Sequence, residues 1–245
     1  MHRFFADENG VVNGAAALDA LDAQHAVRVL RLTAGDEVEL MDAGRRYAAA
    51  IEAAGPDGVR VRITRVLPST EPRVRVTLFQ GLPKAEKMEL IVQKCTELGV
   101  YEVQPVAMER CVAQIKDKDA EKKRERWQKI AREAAKQCGR AQVPQVHAPA
   151  TLAQLAQALS GMDLLMVPWE DARDGSIRNA LEKLPEGAAR IGIVIGPEGG
   201  MSEKEARCLE DFGGKLVTLG ARILRTETAG MAALTLTLGF LGEME

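Results

Sequence analysis

The pattern of apolar and polar positions divides the chain into two styles. Before Pro68 the apolar runs are short and alternating. Val59, Val61 and Ile63 interleave with Arg60, Arg62 and Thr64, as in a half-buried strand with a basic outer face. Residues 38–41 predict another short strand, closed by a turn at Asp42-Ala43-Gly44-Arg45, and residues 47–54 predict a third, followed by the turn Pro56-Asp57-Gly58. Several short strands at this spacing suggest a small barrel. Residues 22–32 predict a short helix with a cationic face of His25, Arg28 and Arg31. After Pro72 the pattern changes to strands alternating with helices. Val74, Val76 and Leu78 open a strand, and Met88, Ile91, Val92, Cys95 and Leu98 then follow helical spacing up to a stop at Gly99. A strand over 100–107, a charged helix over 118–140, a helix over 152–159 capped by Thr151, a strand over 164–167 and a helix over 177–184 continue the series. This alternation predicts a parallel α/β sheet. Pro68-Ser69-Thr70-Glu71-Pro72 resists both helix and sheet, so the expected domains are 1–67 and 73–245.

The stretch 191–229 holds the candidate chemistry. Residues 191–195 are apolar and β-branched without alternation, as in a strand buried on both faces of a parallel sheet. Ligands of such sheets sit at the strands' carboxyl ends. The strand exits through Gly196-Pro197-Glu198-Gly199-Gly200 toward Ser202 and Glu205, a capping box at a helix start. The loop lacks both the phosphate-loop and the dinucleotide glycine patterns. Glu198 would repel a polyphosphate, so a ligand with hydroxyls or a cationic centre suits it better; a plain turn capping a helix is the alternative. A second exit follows the strand over 215–219. There Arg222, Arg225 and Glu227 stand among apolar residues, and extended backbone would put Arg225 and Glu227 on one face. They form either a solvated ion pair or a used one. Pro168-Trp169-Glu170 makes a third rim, where Trp169 stacks on a base or plugs the core edge.

Composition narrows the partners. The chain has 245 residues, 46% hydrophobic and 28% charged, with a net charge of −2, so any RNA contact requires a local basic patch. The charged helix offers one: Lys122, Arg126, Lys129, Lys136 and Arg140 share a side. That side is either a solvated face or a wall for an RNA backbone. Lys87 and Lys94 share a face of the preceding helix. The four cysteines and three histidines show no metal spacing, so no metal and no disulfide are expected. Without a signal or membrane-spanning segment, a cytoplasmic location is expected. The final helix, over 230–241, is apolar on nearly every side, which argues for a subunit interface and a homodimer.

Two loop sequences are specific enough to name. Ile195-Gly196-Pro197-Glu198-Gly199-Gly200, with Leu219-Gly220-x-Arg222-Ile223-Leu224-Arg225-Thr226-Glu227-Thr228-Ala229, resembles the SPOUT superfamily of methyltransferases, and within it the RsmE family. Leu82-Pro83-Lys84, Glu89-x-x-x-x-Lys94-x-x-Glu97-Leu98-Gly99, Glu133-Ala134-x-x-Gln137-Cys138-Gly139-Arg140, Arg3-Phe4-Phe5 and His25-x-x-x-Val29-Leu30-Arg31 extend the resemblance over nearly the whole chain.

The resemblance implies an α/β SPOUT-type parallel sheet with a C-terminal trefoil knot after about Ile191, preceded by a PUA-like β-barrel that binds RNA. It implies methylation of N3 of a uridine in 16S ribosomal RNA, using S-adenosyl-L-methionine and no metal. Loss of the weakly acidic N3 proton needs a donor beside the developing imidate, and Arg225 is the candidate. Glu198 or Glu227 accepts the proton or orients Arg225. Backbone of Leu219, Gly220 and Leu224 would hold the adenosine, with Gly196 and Gly199 allowing close approach. Leu165, Val167 and Pro168 on one rim, Ile195, Pro197 and Glu198 on the second, and Ile223, Arg225 and Thr226 on the third complete the expected cofactor contacts. Expected RNA contacts are Arg3, His25, Arg28 and Arg31, then Lys84, Lys87 and Lys94, then Lys129, Arg132, Lys136 and Arg140. Expected partners are ribosomal RNA or the small subunit and a second copy of the chain. A non-catalytic ribosome-assembly factor on the same fold is the alternative; an ordinary doubly wound nucleotide enzyme is disfavoured by the missing glycine fingerprint.

Overall fold

The structure is a computed structural model describing residues 1–113, 117–173, 175–184, 187 and 190–244. It divides into two compact units: Met1–Glu71 with Ala135–Val143, and the described remainder from Pro72 onward.

The first unit contains β1 (His2–Phe5), β2 (Ala15–Ala17), α1 (Ala20–Arg28), β3 (Glu37–Asp42), β4 (Arg45–Gly55) and β5 (Gly58–Leu67). Its five-stranded sheet has the order β1-β3-β4-β5-β2. An Ala6–Leu18 bridge links the two ends of that order, so the sheet curls into a ring. Phe4, Val38, Leu40 and Val61 are fully buried inside it. The alternation at residues 59–63 is observed: Val59 and Val61 are buried, and Arg60 and Arg62 are exposed. Strand β1 was not legible, because four residues carry no period; its parallel register with β3 is a long-range pairing. Helix α1 starts earlier than expected, at Ala20, because the Asp19 carboxylate accepts from the N–H groups of Leu21 and Asp22. It also stops earlier, and Arg31 lies beyond it at φ 55°.

The second unit runs β6 (Arg75–Gly81), α2 (Lys87–Glu97), β7 (Glu102–Ala107), α3 (Asp117–Cys138), β8 (Gln145–Val146), β9 (Ala150–Thr151), α4 (Ala156–Ser160), β10 (Leu164–Pro168), α5 (Ile177–Leu181), β11 (Arg190–Ile195), α6 (Glu203–Asp211), β12 (Lys215–Val217) and α7 (Thr226–Phe240). The last turn of α3 belongs to the first unit. The strands form one sheet in the order β12-β10-β11-β6-β7-β8, with β9 also on β7, and every pairing is parallel. Strand β11 lies between β10 and β6, and five of its six residues are buried.

Two helices begin elsewhere than expected. Helix α4 starts at Ala156, because Thr151 and Gln154 bond to each other in a turn ahead of it. Helix α7 starts at Thr226, four residues before the expected Gly230. Tertiary bonds hold the Thr226 side chain, and Glu227 places negative charge in the first turn, where the helix dipole favours it. Arg225 and Glu227 therefore do not share an extended strand face.

Candidate active site

The carboxyl ends of β10 and β11 and the entry to α7 enclose a cavity of about 420 Å³ within the second unit. That is within the size range of a small-molecule ligand site. Pro168, Trp169 and Glu170 line it from β10; Ile195, Gly196, Pro197, Glu198, Gly200 and Met201 from β11; and the run from Thr218 to Thr226, with Ala229, from beyond β12. The lining includes three glycines and two alanines, and its charged residues are Lys87, Glu170, Glu198, Arg222 and Arg225.

The loop after β11 is held by several supports. At its far end both bonds of the Ser202–Glu205 capping box are made. Gly200 has φ +70°, and an added Cβ would lie 2.8 Å from a Glu170 carboxylate oxygen. Beneath the loop, a Cβ on Gly81 would lie 2.6 Å from Pro197 N. The loop after β7 reaches it as well: Arg110 donates to the Gly199 carbonyl at 3.2 Å, and Glu109 N–H donates to Glu205 at 2.7 Å.

Glu198 sits at a charged junction. Lys84 N–H donates to its carboxylate at 3.0 Å, and Lys87 Nζ lies 3.0 Å away. Lys87 also lies 3.3 Å from Glu227 Oε2. Partial burial pushes the Glu198 carboxyl up, but Lys87 and the N–H groups of Glu198 and Lys84 outweigh it, so the group is held below its ordinary 4.5. The bond to Glu198 pushes the Lys87 ammonium above its ordinary 10.5; burial opposes the rise and Glu227 adds to it. Glu227 Oε2 is buried and has no hydrogen-bond partner among the described residues.

Arg225 lines the cavity at the N-cap of α7, with an exposed side chain that makes no ion pair among the described residues. Ile223, beside it, is 85% exposed. Pro168, Ile195, Gly196, Pro197, Glu198, Leu219, Gly220, Ile223, Leu224, Arg225 and Thr226 all line the one cavity. Three expected contacts do not. Leu165 and Val167, two positions apart on β10, share the sheet face that packs into a core cluster with Phe79, Val194 and Leu209. Gly199 turns toward Arg110, whose Cβ lies 3.0 Å from where a Gly199 Cβ would stand. Sequence reasoning missed Gln80 and Arg110; a polar residue inside the buried run of β6 was the available signal for Gln80.

The expected RNA contacts separate by environment. His25, Arg28, Arg31, Lys84 and Lys129 are exposed. Arg132 is half-buried, and burial pulls its guanidinium below its ordinary value. Lys94 pairs with Glu97 at 2.8 Å. Four others are engaged within the protein. Lys87 joins the two glutamates. Arg3 pairs with Glu39 at 3.3 Å and donates to the Gln137 carbonyl. Lys136 pairs with the buried Asp22. Arg140, 4% exposed, pairs with Glu71 at 2.7 Å. Helical periodicity places a cation on a face but not the anion that another segment brings to it.

The cysteines are free thiols, and burial pushes Cys95 up to about 12. Among the described residues no cluster suits a metal ion, and no helix is long and apolar enough to cross a membrane.

Comparison with known proteins assigns this architecture. Residues 70–238 match the RNA methyltransferase domain family, and residues 18–64 match the RNA methyltransferase PUA domain. The chain is 37% identical over 220 residues to Ribosomal RNA small subunit methyltransferase E of Bacillus subtilis, covering 87% of this chain and 86% of that protein. It is 31% identical to the protein of the same name from Mycobacterium bovis, over 94% of this chain and 88% of the relative. The crystal structure of Ribosomal RNA small subunit methyltransferase E from Neisseria gonorrhoeae, bound to S-adenosyl methionine, superposes with a TM-score of 0.81 at 31% identity, covering 98% of this chain and 97% of that one. The chain belongs to the ribosomal RNA small subunit methyltransferase E family of RNA methyltransferases.

Proposed function

We propose that this protein methylates N3 of a uridine in 16S ribosomal RNA of the small subunit, with S-adenosyl-L-methionine as methyl donor. The observation that carries the reading is the convergence of three strand exits on one cavity that suits a nucleoside bearing a cationic centre. Glycine backbone and apolar side chains suit the adenosine, and Glu198 places negative charge where a sulfonium would gain from it. The bound donor supplies an electrophilic methyl group; the protein's part is alignment, proton removal and charge stabilisation.

Arg225, exposed at the cavity, would stabilise charge developing on the uracil oxygens. Glu198, already engaged by Lys84 N–H and Lys87 and held below its ordinary range, orients the site rather than accepting the proton. Glu227, whose Oε2 lies 3.3 Å from Lys87 Nζ and takes no N–H from the backbone among the described residues, is less fully engaged than Glu198 and is the better acceptor. The exposed cations His25, Arg28 and Arg31 on the first unit, and Lys84 and Lys129 on the second, would contact phosphates. The same reading includes residues 1–67 as an RNA-binding domain, 73–245 as the catalytic domain, a threaded chain after Ile191 and a cytoplasmic location. It also includes a homodimer through α7, whose Leu236 and Phe240 are 40% and 43% exposed.

Nucleoside mass spectrometry of 16S ribosomal RNA from a strain lacking the protein tests the function. The reading expects 3-methyluridine to vanish and to return with the wild-type gene but not with Arg225→Ala. Persistence of the modified nucleoside would leave the assembly-factor alternative standing.

A further inference from the structure

Gln80 occupies the penultimate position of β6 and is completely buried. Its side-chain Nε2 donates to the carbonyl of Gly81 at 3.0 Å and to Thr226 Oγ1 at 2.9 Å. Thr226 Oγ1 donates in turn to the carbonyl of Gly196 at 2.6 Å. The chain of bonds has one sense only. The Gly196 carbonyl can only accept, so the Thr226 hydroxyl spends its proton there and must receive one from Gln80. Turning the Gln80 amide over would set its oxygen against the Gly81 carbonyl. Gln80 Oε1 is left buried without a hydrogen-bond partner among the described residues. An apolar residue would fill this strand position without that cost, so a glutamine here is explained by its donor.

The three residues belong to separate parts of the sheet. Gly196 begins the loop after β11, Thr226 is the first residue of α7, and Gln80 lies beneath both. Gly196 and Thr226 each line the cavity. The Thr226 hydroxyl is therefore occupied within the protein and joins two walls of the ligand site. We propose that Gln80 and Thr226 are positioning residues that lock the Gly196–Met201 loop to the entry of α7, and that ligand affinity in the cavity depends on this lock. The ligand part of the inference rests on the reading above that the cavity takes S-adenosylmethionine.

Calorimetric titration of S-adenosylmethionine into the full chain, beside hydrogen–deuterium exchange of the ligand-free protein, tests it. Thr226→Val and Gln80→Leu should each raise Kd about tenfold. The double variant should be little worse than either single one, because both remove the same connection. Thr226→Ser, which keeps the hydroxyl, should bind as the parent does. Exchange in residues 196–201 and in the first turn of α7 should quicken in Thr226→Val and Gln80→Leu, while β7 and α2 stay protected. A role limited to general stability would lower melting temperature but leave Kd and local exchange alone at 25 °C, and would overturn the proposal. So would singles whose effects on Kd simply multiply. If the parent protein fails to bind S-adenosylmethionine, the cofactor reading falls; the lock then stands or falls on whether exchange in residues 196–201 quickens.

Discussion

Lys87 Nζ stands 3.0 Å from Glu198 Oε1, so the first turn of α2 is joined by charge to the loop that closes the cavity. Both ionisations are favoured by the fold. Glu198 sits below its ordinary 4.5, so its contribution to stability is complete above that pH and is lost as pH falls through the lower folded value. Lys87 sits above its ordinary 10.5, so its contribution is complete below that pH and is lost as pH rises through the higher folded value. The melting-temperature gap between the parent and Lys87→Met should be level across neutral pH and close in acid below about 4.5. Melting curves from pH 3 to pH 8 measure it. A gap that persists unchanged at pH 3 would mean the pairing contributes nothing.

Arg225→Ala should lower turnover far more than cofactor affinity. Losing a donor to developing oxyanion charge costs about 3 kcal/mol, or about a hundredfold in kcat. Single-turnover kinetics with saturating S-adenosylmethionine provide the measurement. Weakened binding with turnover intact would make Arg225 a cofactor ligand instead.

Gly81→Ala should displace the loop after β11 without touching any ligand directly. The new methyl would stand 2.6 Å from Pro197 N and 2.9 Å from Gly196 C, both backbone atoms that cannot swing aside. Such overpacking costs about 1–3 kcal/mol of stability. S-adenosylmethionine affinity should fall with it, which a titration on the folded variant would show. Parental affinity would mean the loop position is immaterial to binding.

Lys129 and Lys136 lie on one helix and should behave oppositely. Exposed Lys129 is available to a phosphate, so Lys129→Ala should reduce the log–log salt slope of RNA binding by about 0.7. Lys136 is committed to the buried Asp22, so Lys136→Ala should cost about 3 kcal/mol of folding stability and leave the slope alone. Filter binding across a salt series, with denaturant melts, separates the two.

The sequence made the sheet legible because buried parallel strands and amphipathic helices carry strong patterns. Strands β6, β10 and β11 and the Ser202 cap lie close to where the pattern put them. The two glycine-bearing loops were visible as strand exits, but their meeting at one cavity was implied only by the family resemblance. The start of α7 was hidden because Thr226 and Thr228 are poor helix formers, and tertiary bonds from Gln80 and to Gly196 override that preference. The commitments of Arg3, Lys136 and Arg140 were hidden for a related reason. Each depends on an acid at least 36 positions away, and no local spacing encodes such a partner.

The placement of β11 has a consequence for how the chain is made. Arg190 pairs with Arg75, 115 positions earlier, so one side of β6 stays without its neighbour until β11 emerges from the ribosome. At ordinary translation speeds that interval is roughly 6–25 s, far longer than collapse of the preceding segments takes. Throughout it β6 offers a row of open peptide groups on an otherwise apolar strand, which another nascent chain could pair with. Yield in a heterologous host should therefore respond to translation rate and chaperone supply between residues 81 and 190, even where the finished protein is stable.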